Sequence, residues 1–232
     1  MPVLTLGDVI PLHLADVTFP SFHPLAGQTG ELFAFAVRAR GLILFETGIG
    51  LGNEWIDAHY QVVHRPLDAE LERHGHRLDE VRAVVNSHLH FDHCGRNCLF
   101  PGVPIYAHTA ELSAVRQPRY TIPAWVDFAG AEYREVDGDT KVADGVTIVS
   151  TPGHSPGHQS VLVDTAEGTV VLAGQAVYSR AEYDHILATG EVPPDDPAPD
   201  PDAYRASAHR LIGLQPRRVF FSHDAAVWEA AS

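Results

Sequence analysis

The order of elements along the chain predicts an α/β fold made of two αβ halves that face each other. Three observations carry this. Strand-like apolar runs alternate with helical stretches over most of the 232 residues. Three of those runs (81–85, 146–149 and 219–221) end in loops that bear histidine. A helix followed by Arg82-Ala-Val-Val-Asn-Ser-His88 also recurs as a helix followed by Arg217-Arg-Val-Phe-Phe-Ser-His223, a faint internal echo. The length suits one domain, 1–232, with a substantial core. A doubly wound open sheet is the competing architecture, but the glycine-rich phosphate turn that would accompany it is missing.

Taken in order, 32–37 and 42–45 read as adjacent strands with Gly41 at the turn. Residues 68–74 read as helix. Residues 81–86 form a strand that leads into a histidine-rich turn, and 103–106 a short strand. Residues 109–115 read as a helix opened by a Thr109 cap. Residues 146–150, 160–163 and 169–173 are strands with Gly- or Asp-rich turns between them. Residues 201–214 read as helix and 219–221 as the last strand. The stretch 192–201 is rich in proline and aspartate and lacks Ser-Gly flexibility, so it reads as an ordered surface loop.

Hydrophobic content of 45% and charged content of 20% are ordinary for a globular chain. A net charge of −14 argues against nucleic-acid and anionic-membrane partners, which need a basic footprint. The N-terminus lacks the basic and apolar segments of a signal peptide, and no run reaches the length of a membrane span. Cys94 and Cys98 lie four apart on an expected helix, where a disulfide would restrain little. They read as reduced thiols of a cytoplasmic protein. Cys94 follows His93, which admits a ligand role, but helix packing is the favoured reading.

Residues 88–93 read His-Leu-His-Phe-Asp-His and hold most of the chemical information. Imidazole and carboxylate are ligands for zinc, and they suit iron and manganese too. Four of them on one short turn are too many for one ion, so the spacing points to two neighbouring metals. Thr151-Pro-Gly-His-Ser-Pro-Gly-His158 and Ser222-His-Asp224 follow two further strands. Loops at strand ends are the usual home of chemistry in such sheets.

These strings, with Glu46-Thr-Gly-Ile-Gly50, make the chain resemble the metallo-β-lactamase superfamily, and within it the N-acyl-homoserine lactonases. The resemblance runs from about residue 43 to 223. It implies a four-layer αβ/βα sandwich. It also implies that His88, His90 and His154 hold one metal while Asp92, His93 and His223 hold a second, with one or two Zn2+ ions in place. His158 is expected in a supporting role. His64, His74, His76 and His209 are expected to be solvated. His13, His23 and His185 are open to lining a pocket.

Two positions depart from the family pattern. Gln175 stands where relatives carry an Asp that bridges the metals. An amide offers one neutral acceptor instead of two anionic oxygens, so Gln175 is at best a weak terminal ligand. Glu46 replaces an Asp that orients a ligand histidine in many relatives, although a solvated strand-end carboxylate fits the sequence as well. Tyr178 falls where the lactonases carry an active-site tyrosine.

The resemblance therefore implies opening of a lactone by hydroxide held at the metals. Tyr178 donates to the carbonyl or leaving oxygen, and Asp92 helps move the proton. Phe19, Phe22, Phe33, Trp125, Phe128 and Tyr183 are candidates for an apolar acyl pocket. The partner is a small lactone or ester. The alternatives are another ester or thioester hydrolase, an iron-dependent oxidoreductase, and a weakly active metal-binding protein. The sequence leaves the oligomeric state open.

Overall fold

A computed structural model describes residues 3–195 and 198–231. Alternating side chains decide where each strand packs, because successive residues point to opposite faces. Strands β1 (Val9–Thr18), β2 (Thr29–Ala39) and β3 (Gly41–Phe45) form an antiparallel meander. Gly41 has φ +92°, and a Cβ there would meet the Arg82 side chain at 2.5 Å, so the tight β2–β3 turn needs glycine. Helix α1 (Glu54–Tyr60), the two-residue β4 (Val63–His64) and α2 (Leu67–Arg73) lead to β5 (Val81–Val85). Then come α3 (Phe91–Cys94), β6 (Pro104–His108), α4 (Thr109–Ala114), α5 (Pro123–Val126) and β7 (Glu132–Val136). These strands make one sheet in the order β4-β1-β2-β3-β5-β6-β7, with β3, β5, β6 and β7 parallel.

The second sheet holds β8 (Thr140–Ala143), β9 (Val146–Ser150), β10 (Gln159–Thr165), β11 (Gly168–Leu172), β12 (Arg218–Phe221) and β13 (Asp224–Glu229) in the order β13-β12-β11-β10-β9-β8. Helices α6 (Arg180–Thr189) and α7 (Pro201–Gly213) lie between β11 and β12 in the chain.

One face of each sheet meets the other. Phe35, Ile43, Phe45 and Val85 pack against Ile148, Val161, Val170, Leu172 and Phe220. The intervening residues face outward. Leu42, Leu44 and Val84 pack with Leu67 and Leu71 of α2. Val171, Val219 and Phe221 pack with Ile186 of α6 and Leu211 of α7. The result is helices, sheet, sheet, helices: the four-layer sandwich that the resemblance implies. The echo is also visible, since β5 and β12 occupy opposite sheets and the loop after each carries a Ser-His pair.

Local expectations need correction at two places. Helix α4 is capped by His108, whose Nδ1 accepts from the Ala110 N–H at 3.1 Å, while the Thr109 hydroxyl bonds the Val136 carbonyl. Cys94 and Cys98 do not share a helix, for α3 stops at Cys94 and a separate turn of 3-10 helix spans Asn97–Leu99. Both thiols are free. The centre of the 192–201 loop, Asp196 and Pro197, lies outside the described residues. Among the described residues, no helix is long and apolar enough to cross a membrane.

Candidate metal centre

The C-terminal ends of β3, β5, β9, β11 and β12 meet at one edge of the sandwich. Two main-chain bonds pin the sheets together there. The Gln159 N–H donates to the Ser87 carbonyl at 2.8 Å, and the Phe33 N–H donates to the Ser222 carbonyl at 2.9 Å. The histidines that follow β5, β9 and β12 are thereby brought together.

Ligand atoms of His88, His90 and His154 cluster within 4.8 Å of one another, as do those of Asp92, His93 and His223. His88 Nε2 and His90 Nδ1 are 2.9 Å apart, and His154 Nε2 lies 3.3 Å from the same His90 nitrogen. In the second group His93 Nε2 is 3.2 Å from His223 Nε2, and Asp92 Oδ2 is 3.5 Å and 3.8 Å from those two nitrogens. The His88 and His93 rings, with centroids 4.1 Å apart, join the groups.

The outward-facing nitrogens decide which atoms point inward. His88 Nδ1 meets the Ser87 hydroxyl at 2.8 Å, and His93 Nδ1 meets Glu46 Oε1 at 3.1 Å. His154 Nδ1 meets Asp195 Oδ2 at 2.7 Å. A proton on each outer nitrogen leaves a lone pair on the inner one, the arrangement that outer carboxylates impose on metal-binding histidines. Burial holds His88 far below its ordinary pKa, and burial together with neighbouring imidazoles brings His90 and His223 down to about 3. Neutral imidazole is the ligating form. Burial would also depress His93, but Asp92 and Glu46 outweigh it and raise this group to about 9. Burial opposes ionisation of Asp92, yet His93 and His223 hold its carboxyl below the usual range. This donor set fits two divalent cations.

Glu46 is fully buried with φ +70°, a left-handed conformation that is uncommon for a non-glycine residue. From there its carboxylate accepts from the Ser87 N–H at 3.2 Å and meets His93, so it is no solvated strand end. His158 is also interior. Its Nε2 accepts from the Gln175 N–H at 2.9 Å and its Nδ1 lies 3.0 Å from the Thr151 carbonyl, so it anchors β11's end to β9's. Gly174 has φ +62°, and a Cβ there would strike His158 at 2.7 Å. The Gln175 side chain lines the cavity above the triads, near enough to His93 to favour its charged form. Cys94 belongs to neither triad. Its thiol donates to the His90 carbonyl at 3.2 Å, and burial pushes its pKa far up.

The cavity measures about 490 Å³. Tyr178 stacks on His223 with centroids 4.8 Å apart, and its N–H is held by Glu182 at 2.7 Å. Burial and the nearby Asp92 keep the phenol protonated well above its ordinary range. Of the six acyl-pocket candidates, Phe19 lines this cavity and the other five do not. Trp125 and Tyr183 are consumed by core packing, Phe33 and Phe128 pack at core margins, and Phe22 is exposed against Trp55. His23 lines the cavity; His13 and His185 do not. His74 and His209 are exposed, but His64 and His76 are part-buried against Asp57 and Glu80. The chain's local pattern does not flag Arg119, Tyr120, Glu182, Asp195 and Tyr204, which also line the cavity. For Asp195 no nearby signal exists, since its partner His154 is 41 residues away.

Comparison with known proteins agrees with this geometry. An N-acyl homoserine lactonase of Bacillus thuringiensis is 33% identical over 159 residues, 66% of this chain and 60% of the relative. The corresponding lactonase of Bacillus cereus is 34% identical over the same shares. The match therefore spans less than two thirds of either relative's length. A solved quorum-quenching N-acyl homoserine lactone lactonase is 28% identical, with a TM-score of 0.75 over 97% of this chain and 94% of that one. A lactonase of B. thuringiensis with N-decanoyl-L-homoserine bound at its active site shares the fold, with a TM-score of 0.77, 24% identity, and coverage of 97% and 95%. The family model described as the metallo-beta-lactamase superfamily matches residues 34–223, which include both triads and all the strand ends that carry them. The chain belongs to the metallo-beta-lactamase superfamily.

Proposed function

We propose that the protein is a zinc-dependent hydrolase that opens N-acyl homoserine lactones, with the two triads as its metal ligands. The observation that carries this is the convergence of six donors, four of which line one cavity together with a half-buried, protonated Tyr178. The named activity of the relatives supports the substrate class.

Divalent cations held by the triads supply a water of lowered pKa and a Lewis acid for a carbonyl. The chain's residues do the rest. Tyr178 donates its phenolic proton as a hydrogen bond to the oxygen that gains charge, without itself ionising. Stacking on His223 and the bond from its N–H to Glu182 fix its position. Asp92 is ionised at rest; it takes the proton of the attacking water as the new C–O bond forms and passes it to the ring oxygen as the lactone C–O bond breaks. Phe19, Pro24, Leu25 and Phe91 give the cavity an apolar wall for an acyl group. Free thiols at Cys94 and Cys98 agree with a reducing compartment such as the cytoplasm.

The test is ring opening of N-acyl homoserine lactones by zinc-loaded protein, followed by proton release, beside a panel of simple esters and thioesters. Preferential turnover of the lactones supports the reading. Turnover confined to thioesters, or none in protein carrying two zinc equivalents, refutes it.

A further inference from the structure

Glu111 is fully buried in α4 and has no place in the chemistry described above. Its carboxylate nonetheless accepts four hydrogen bonds. Oε2 receives the Leu89 N–H at 2.9 Å and the Tyr120 hydroxyl at 2.5 Å. Oε1 receives the Ser155 hydroxyl at 2.7 Å and the Gly157 N–H at 2.9 Å. A carboxylate offers about four lone-pair sites, and all are used. A charge in so dry a place is tolerable only when satisfied in this way.

The donors are not scattered. Leu89 lies between His88 and His90, and Ser155 follows His154. Glu111 therefore bridges the two loops, from opposite sheets, that supply the three histidines of the first triad. Gly157 fits against it closely, since a Cβ there would stand 2.9 Å from Glu111 Cγ. The fourth donor, Tyr120, is a wall of the cavity, and its ring lies 4.7 Å from that of His90. None of the four donors neighbours His223, and the second triad's His93 is held by Glu46 instead.

We infer that Glu111 is a positioning residue for the first metal site alone, setting the separation of the His88–His90 turn and the His154 loop. The inference rests on the ligand assignment proposed above. It needs a carboxylate and not simply a polar group. A glutamine would turn an N–H pair toward two of the four donors. The hydroxyls of Tyr120 and Ser155 can rotate to accept, but the N–H of Leu89 or Gly157 cannot. One loop must then move away.

The experiment is a competition between zinc-loaded protein and a chromogenic chelator, in which two zinc equivalents are followed. His154→Ala identifies the equivalent held at the first site. Glu111→Gln should loosen that same equivalent by about 10- to 100-fold, the usual effect of removing an outer partner of a metal ligand. The other equivalent should be unchanged. Ser155→Ala removes one donor and leaves three; it should give a smaller loss in the same equivalent, and it decides the matter if Glu111→Gln does not fold. Equal loosening of both equivalents, together with a lower melting temperature, would show that Glu111 only supports the fold. No loosening in either variant would also overturn the inference. If His154→Ala leaves both equivalents in place, the ligand assignment itself has failed, a result separable from the others.

Discussion

Replacing Gln175 by aspartate is the sharpest perturbation of this centre. With two divalent ions, one hydroxide and Asp92, the inner shell carries two positive charges where the family's bridging Asp would leave one. The main chain at residue 175 is already fixed, since its N–H is held by His158 at 2.9 Å and Gly174 takes the left-handed turn. A new carboxylate therefore starts from a defined Cβ beside His93. At roughly 4 Å and an effective dielectric of about 20, each unit of positive charge attracts it by about 4 kcal/mol. Removing the carboxylate from water opposes this by several kcal/mol. A net gain of about 1–3 kcal/mol is expected, roughly ten- to a hundredfold in affinity. The gain should fall mainly on the second site, where Asp92 is the sole anionic ligand of its triad. Stepwise zinc titration of chelated wild-type and Gln175→Asp protein measures both constants. Two equally tight sites in the wild type, with no gain in the variant, would show that the electrostatic reasoning is wrong.

Four further outcomes are expected. Tyr178→Phe should lower lactone turnover by about ten- to a thousandfold with metal content unchanged, as read by steady-state kinetics beside metal analysis; unchanged turnover removes Tyr178 from the reaction. Asp195→Asn should weaken zinc at the first site by about 10- to 100-fold, because it removes the carboxylate that orients His154, and chelator competition reads this directly. Zinc uptake at the second site should release a proton from His93, whose pKa is about 9 in the metal-free protein. Apparent affinity there should rise by about tenfold per pH unit up to that value and then level off, which calorimetry in buffers of different ionisation heat can check. The same raised pKa stabilises the metal-free fold at low pH, and that contribution should fade as pH climbs from about 6.5 through 9.

The first triad's two N-terminal members were legible because His88-Leu-His90 is a local string after a regular strand. The strands of the inter-sheet core were legible for a related reason: in β3, β10 and β11 apolar side chains recur on both faces, and the boundaries differ by only a few residues. Strand β1 was not legible. Pro11 breaks the run, and a register shift between His13 and Ala15 interrupts its alternation. Strands β7 and β8 lie at sheet edges, where Glu132, Arg134 and Lys141 replace the apolar signal. Helix α6 follows a motif-bearing strand and buries only Tyr183 and Ile186, too little for a clear helical period. Outer partners such as Asp195 and Glu111 depend on distant loops meeting in space, and no spacing along a chain encodes that.

The chain fills the two sheets in succession, β1 to β7 in one and β8 to β13 in the other, so residues 137–139 divide the molecule into halves. Each triad draws two donors from the first half and one from the second. Neither half alone supplies more than two of the three donors of either triad. With cations at the proposed sites, their binding would also be a clasp across the seam, added to the apolar core that the two sheets share. Two fragments separated at 137–139 would then associate less tightly once the ions were withdrawn.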